Sequence, residues 1–265
     1  VSDKPKIGVG IVTCNRENFF KQCLSSIPAC DELAVVNDGT AYEFDKSRLT
    51  SFTQHGTNLG VGKSKNELLR FLLRKDCDYI FIIEDDIVMK DPIVFEKYIE
   101  HSKKTGLMHL MYGYHGPANK VNGQPNPRMV VDYGNGARIA FNQHCVGAFC
   151  LYTKKVLQNS GFMDEKFQNA FEHIDHSYRI VLDKYIPGYW WWPDINESWR
   201  YIDELACSEV SSTIRCRSDW SSNIQHGARH FYSKYGFSPV QVPDTSIEQI
   251  KYNLKEIHKN YGDMI

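Results

Sequence analysis

The sequence predicts an α/β domain in which a mostly parallel central sheet is covered by helices. Three runs rich in β-branched and other apolar residues carry this reading: IGVGIV at 7–12, LAVV at 33–36 and YIFII at 79–83. Each is strand-sized and apolar along its whole length, as strands buried on both faces are. Each also ends abruptly in polar residues, namely Thr13-Cys14-Asn15-Arg16, Asn37-Asp38-Gly39-Thr40 and Glu84-Asp85-Asp86.

Helical patterns alternate with these runs. After the first, Phe20, Cys23, Leu24 and Ile27 recur at helical spacing, and Pro28 closes the segment. A less regular stretch follows the second run and leads to the glycine-rich residues 56–62. A helix with Leu68, Leu69, Leu72 and Leu73 on its apolar side comes next. Residues 92–99 read as a short helix and 107–112 as a strand. The Gly-, Pro- and Asn-rich residues 113–127 read as a long loop near the site or an insertion. Short strands are expected at 137–141 and 146–152, then a helix through Val156 and Leu157 and another at 177–182, leading into PGYWWWPD at 187–194. From residue 208 the chain is polar and weakly patterned until 247–257, a further helix.

The composition is that of an ordinary folded chain: 265 residues, 42% hydrophobic, 24% charged, with a formal net charge of -1. That length fits one large domain or a domain with an elaborated second lobe. The charge balance argues against a nucleic-acid partner. No run is long enough to cross a bilayer, and residues 1–12 lack the pattern of a secretory signal. Cys14, Cys23, Cys77, Cys145, Cys150 and Cys207 lie in or beside apolar runs without zinc-knuckle spacing. That placement predicts reduced, buried thiols in a cytoplasmic protein.

In a parallel sheet, ligands bind beyond the carboxyl ends of the strands, where all three polar clusters fall. Alternate residues at a strand exit point the same way, so Glu84 and Asp86 can hold one divalent cation while Asp85 points aside or toward a ribose. Carboxylates suit Mg²⁺ or Mn²⁺, which share their coordination with phosphate oxygens. Taken alone, the triplet is equally compatible with a solvated acidic turn.

In order along the chain, VTCNR, VVNDGT, GTNLGVGKSKN, FIIEDD, GAFCLYTKKVLQNSGFMDEKF and FEHIDHSYR resemble the motifs of the family 2 inverting glycosyltransferases, covering roughly residues 6–183. The resemblance implies a GT-A fold and inverting transfer from a UDP-sugar to a carbohydrate acceptor in polysaccharide or glycoconjugate synthesis, with Mn²⁺ or Mg²⁺. It places Thr13, Asn15, Arg16, Asp38, Asn58, Gly60, Lys63, Asn66 and Asp85 around the donor, and makes Asp86 and Glu84 the metal-binding acids. His226 is a candidate third metal ligand. Gly147 and Ala148 form the pocket floor, with His144, Trp190 and Trp191 as candidate acceptor contacts, although the aromatic run at 189–192 equally reads as core. The family's base is the Asp of an E-D pair, and here His173 stands in that position. His173 and Glu172 rank together as candidate bases and Asp175 third, with Arg179 anchoring the segment.

The expected division is a catalytic domain over 1–205, with a nucleotide half to about 110 and an acceptor half from about 111, and a C-terminal extension over 206–265 that closes part of the site. The expected location is the cytoplasm; contact with the inner face of a membrane, and membership of a longer protein, are compatible with it. Two other readings stand beside this one. A catalytically impaired nucleotide-sugar or carbohydrate-binding module would keep the fold and lack the base. A sugar nucleotidyltransferase would show a glycine-rich basic loop after its first strand, where this chain has VTCNRE. A nicotinamide dehydrogenase would need a G-x-G-x-x-G after Val12, which is absent.

Overall fold

The computed structural model describes residues 4–205 and 215–263, so Cys207 lies outside the described residues. The chain begins with β1 (Ile7–Thr13), α1 (Glu17–Ser26), β2 (Glu32–Asn37), β3 (Ser51–Gln54), α2 (Val61–Arg74) and β4 (Tyr79–Glu84). Every residue of β1 and β2 is buried, which is why these strands read as uninterrupted apolar runs. After β4 come β5 (Ile87–Met89), α3 (Val94–Thr105), β6 (His109–Met111), the β7–β8 hairpin (Lys120–Val121 and Gln124–Pro125), β9 (Met129–Asp132) and β10 (Arg138–Asn142). The remaining elements are β11 (Phe149–Thr153), α4 (Lys154–Ser160), α5 (Glu172–Leu182), β12 (Trp192–Ile195), β13 (Ile202–Glu204), α6 (Trp220–Tyr235) and α7 (Ile247–Tyr261).

The main sheet has the order β3-β2-β1-β4-β11-β6. Its first four strands run parallel, and β11 is antiparallel to both β4 and β6. This is the mixed, mostly parallel sheet flanked by helices that the sequence predicts. β1 lies in the middle of the parallel set, so the exits of β1, β2 and β4 stand side by side. A second, antiparallel sheet of order β12-β10-β9 packs beside β6. Between the layers, Phe81, Phe95, Tyr98 and Phe149 form a buried aromatic cluster with ring centroids 4.5 Å (Phe81–Phe95) and 4.9 Å (Tyr98–Phe149) apart.

Several elements depart from expectation for local reasons. The helix expected at 177–182 is the second half of α5, which starts at Glu172 just after Phe171 turns the chain with φ +66°. That puts Glu-His-Ile-Asp on the helix's first turn. β3 is a half-buried edge strand in the stretch that looks irregular in sequence. The whole of α6 occupies the weakly patterned tail. Only Gly227 and Phe231 of its 16 residues are buried, so it carries no apolar stripe to read. Among the described residues no helix is long and apolar enough to cross a membrane, and the described cysteines are all free thiols.

Candidate active site

The exits of β1 and β4 bring a cation and three polar side chains together. The Thr13 hydroxyl donates to Asp85 Oδ2 at 2.7 Å, and Arg16, from the turn after β1, pairs with Asp85 Oδ1. The other arm of the same guanidinium donates to Asp86 Oδ2 at 2.9 Å. Asp85 is fully buried; that burial, opposed by Arg16 and reinforced by Asp86, pushes its carboxyl up to about 7. For Asp86, burial is outweighed by His115 and Arg16, which hold it below the usual carboxylate range.

His115 comes from the loop after β6 and has no counterpart among the sequence-derived candidates. Its Nε2 stands 3.3 Å from Asp86 Oδ1 and 4.0 Å from Glu204 Oε2. The first pair is close enough for an ion pair but misaligned for a hydrogen bond, so Asp86 Oδ1 and His115 Nε2 are both buried without a hydrogen-bond partner. Burial opposes a charge on His115, yet the carboxylates of Asp86, Glu84 and Glu204 raise its pKa. The signal in sequence is slight: a histidine in a loop read as lying near the site.

Asp38, at the exit of β2, is 1% exposed and organises the loop that precedes α2. Its carboxylate accepts from Leu59 N at 2.8 Å, Gly60 N at 3.0 Å and Asn58 Nδ2 at 2.9 Å, and lies 2.8 Å from His55 Nδ1. Both oxygens are therefore engaged within the protein. Asn58 Oδ1 accepts from Asn169, and Asn15, at φ +56°, accepts from Thr40 N at 2.7 Å. The buried Asn66 joins α2 to the 163–165 segment through Met163 N and O and Glu165, all at 2.9 Å, which makes it a tether rather than a surface for a ligand. Lys63, by contrast, sits partly exposed in the first turn of α2.

Behind the acids lies a fully buried lysine. Lys65 on α2 donates to Glu84 Oε1 at 2.6 Å and to the Gly147 carbonyl at 3.0 Å, and lies 3.8 Å from Glu172 Oε1. Burial alone would lower its pKa, but Glu84 and Glu172 more than reverse that and hold it charged. Glu172 is buried; the desolvation that would raise its pKa is overcome by His173 and Lys65, which bring it down to about 2. Its Oε1 lies 3.0 Å from His173 Nδ1. The imidazole rests against Gly147, where an added Cβ would come 2.8 Å from His173 Cγ, so only glycine admits the ring there. Gly147 and Ala148 also frame this end of β4, since Glu84 N donates to the Ala148 carbonyl at 2.7 Å. One file of side chains thus runs Glu84–Lys65–Glu172–His173, from the acidic exit of β4 to the first turn of α5.

Several expected residues are placed elsewhere. Asp175 is fully buried and held by Lys234, by Tyr235 OH at 2.9 Å and by Arg179 Nε at 3.2 Å, so its carboxylate is committed to joining α5 and α6. Trp191 is 2% exposed, with its indole nitrogen 3.0 Å from Asp244 Oδ1 and the Arg128 guanidinium 3.9 Å from its ring. It is a core residue rather than an acceptor contact. Trp190 is partly exposed, at φ +66°, with the exposed His144 edge-on at 6.4 Å. His226 is exposed on α6. Among the described residues no three His, Cys, Asp or Glu side chains stand close enough to hold a metal ion together, so the expected trio of Asp86, Glu84 and His226 is not assembled. Glu84 is engaged by Lys65, and Asp86 faces His115. A separate cavity of about 590 Å³, bordered by Tyr79, Lys103, Lys155 and Tyr261, opens at the other end of β4 and shares no residue with these clusters.

No known family profile matches the chain. It is 25% identical over 230 residues to the uncharacterized glycosyltransferase R363 of Acanthamoeba polyphaga mimivirus, across 79% of this chain and 85% of that protein. Among solved structures it resembles residues 1–349 of S. aureus TarS, with a TM-score of 0.52 and 14% identity over 97% of this chain and 81% of that one. Against the longer TarS structure the chain spans about half the length, 49%. GalNAc-T7, solved with UDP, GalNAc and Mn²⁺, also gives a TM-score of 0.52, at 11% identity over 99% of this chain and 55% of that one. The fold is thus of the GT-A nucleotide-sugar transferase type.

Proposed function

We propose that the chain is an inverting glycosyltransferase, moving a sugar from a UDP-sugar to a carbohydrate acceptor with the help of Mn²⁺ or Mg²⁺. The observation that carries this reading is the file of side chains that ties the acidic exit of β4 to a Glu172–His173 pair on α5. A donor end and a base end are what a displacement at an anomeric carbon needs. The motif order and the distant likeness to R363 and TarS support it.

Glu172 faces Nδ1 of His173, so the ring donates that N–H and leaves Nε2 to take the proton of an acceptor hydroxyl. Held ionised, Glu172 orients the ring and stabilises the imidazolium that forms. The acceptor oxygen attacks opposite the departing diphosphate. Asp86 and His115 fit a divalent cation, since their two facing atoms are buried without hydrogen-bond partners and a carboxylate–imidazole pair leaves coordination for phosphate. Bound there, such an ion would neutralise charge on the diphosphate. Arg16 and Lys63 supply further positive charge on the donor side. Residues 1–110 would then serve the nucleotide and 111–205 the acceptor, with the C-terminal residues covering the site.

The test is release of nucleoside diphosphate from UDP-, GDP- and dTDP-sugars, with and without simple sugar acceptors. Release from one donor, abolished by chelator and reduced about 100-fold in Asp86→Asn, is the expected result. Absence of both release and nucleotide binding across the panel would overturn the reading.

A further inference from the structure

The contact between Arg16 and the acidic pair has a consequence for how metal and nucleotide arrive. Resting on the reading that Asp86 is a metal-binding acid, we propose that Arg16 is a resident counter-cation that shuts the site to a free divalent ion. It yields only when a nucleoside diphosphate offers the guanidinium another anionic partner. Binding of metal and nucleotide is then strongly cooperative.

The geometry supports this in three ways. First, Arg16 spans both acids at once, one arm on Asp85 Oδ1 and the other on Asp86 Oδ2 at 2.9 Å. A guanidinium can be held by two oxygens in this manner, whereas a lysine ammonium cannot reproduce the fork. Second, the cluster is enclosed: the side chains of Asp85 and Asp86 are 0% and 3% exposed and that of Arg16 is 16% exposed. A second cation entering beside an undisplaced guanidinium meets repulsion that water screens poorly. Third, Arg16 leaves the second oxygen of Asp86 to another partner: Oδ1 and His115 Nε2 face each other at 3.3 Å, both buried and without a hydrogen bond.

Arg16 is also placed to move. It is the residue before α1, with non-helical φ −129° and ψ 58°, and follows Asn15 at φ +56°. The Arg16 carbonyl caps α1 by accepting from Phe20 N at 2.9 Å, so the backbone is held and an exchange of partners needs only rotation of the side chain. A guanidinium binds phosphate oxygens as readily as carboxylates, so the exchange keeps its charge paired throughout. The imidazole of His115 in the ligand pair also favours Mn²⁺ over Mg²⁺.

The experiment is a Mn²⁺ titration of the full chain followed by the electron paramagnetic resonance of free Mn²⁺, with and without UDP, on the wild type, Arg16→Gln and Arg16→Lys. The wild type should bind Mn²⁺ weakly alone and at least tenfold more tightly with UDP. Arg16→Gln should bind Mn²⁺ at least tenfold more tightly than the wild type without nucleotide, and gain less from UDP. Arg16→Lys, which keeps the charge and loses the fork, should fall between them and carries the test if the glutamine variant does not fold. Wild-type binding with UDP, but no gain in nucleotide-free affinity in either variant, would overturn the role of Arg16 alone. No Mn²⁺ binding by any form, with or without UDP, would overturn both this inference and the metal-site reading beneath it.

Discussion

His173 and Glu172 show how one local substitution alters the chemistry a position can offer. An aspartate at the position of His173 would act as a base on its own. An imidazole there needs a partner to fix its tautomer, and Glu172 supplies one at 3.0 Å. Removing the ring by His173→Ala is expected to lower kcat about 10²- to 10⁴-fold while leaving the nucleotide affinity near the wild-type value. Steady-state turnover beside calorimetric UDP binding checks this; a parallel loss of both would point to a structural role instead. The letters identify the position, but not the partner. Glu172 is adjacent in sequence, whereas the lysine that adds to His173 in keeping it ionised is on α2, and Lys65 reads there as one more charge on a helix. Arg16 shows the same blindness from the other side. Its place in the turn after the first strand is legible, while its grip on both acids depends on how β1 and β4 lie in register, with Val12 beside Glu84.

At the scale of elements, the least legible piece is α6, and its seat explains why. Its contact with the body of the protein rests on one core aromatic, Phe231 beside Tyr178, and otherwise on small and polar groups: Gly227 against Phe171 and Ala170, His230 with Asp164 at 2.8 Å, and Lys234 and Tyr235 with Asp175. A helix docked through one glycine, one phenylalanine and a few polar contacts leaves no periodic apolar signal. A Cβ at 227 would lie 2.8 Å from the Phe171 ring and 3.2 Å from the Ala170 carbonyl. Gly227→Ala would gain up to about 1 kcal/mol of helix propensity. Crowding of the ring and the backbone carbonyl costs about 1–3 kcal/mol. The variant is therefore expected to be net destabilised, by up to roughly 2 kcal/mol if the propensity gain is fully realised, read as a lowered urea midpoint. An unchanged or raised midpoint would show that Phe171 gives way freely. Helices α1 and α2 lie at the opposite extreme. They pack on a sheet buried on both faces, so their apolar sides are plain in the sequence.

The whole molecule carries an acid sensitivity that belongs to no single element. His109 on β6 is buried, stacks on Tyr152 of β11 at 4.4 Å, and has both nitrogens engaged, by the Leu151 carbonyl at 2.8 Å and Ser177 Oγ at 3.0 Å. Burial holds its pKa down at about 4, and His176, also stacked on Tyr152, is lowered as well by its own burial. A histidine depressed in the folded state is protonated first in the unfolded one. Stability is therefore intact above about pH 6.5 and falls as the pH drops from there toward 4. His109 alone should contribute a loss of about 2 kcal/mol between pH 7 and pH 5. Urea titrations at the two pH values check the sum, and His109→Gln should flatten the difference; a wild type equally stable at both would refute it. None of this is readable in HLM, because the desolvation comes from α5 and β11 closing over the strand.

The strand order has one last implication, for the chain as it is made. β4 pairs on one side with β1, which precedes it, and on the other with β11, whose residues 149–153 are synthesised much later. Until then Ile80, Phe81, Ile82 and Ile83 present an open, apolar strand edge with unsatisfied backbone groups. A nascent chain that has completed the first four strands thus holds the acidic exit of β4 in place and yet has an adhesive flank, which β11 alone can seal in the native order. The parts of the chain before and after about residue 110 are therefore not separable in folding: one cannot be released from the other without leaving that flank bare.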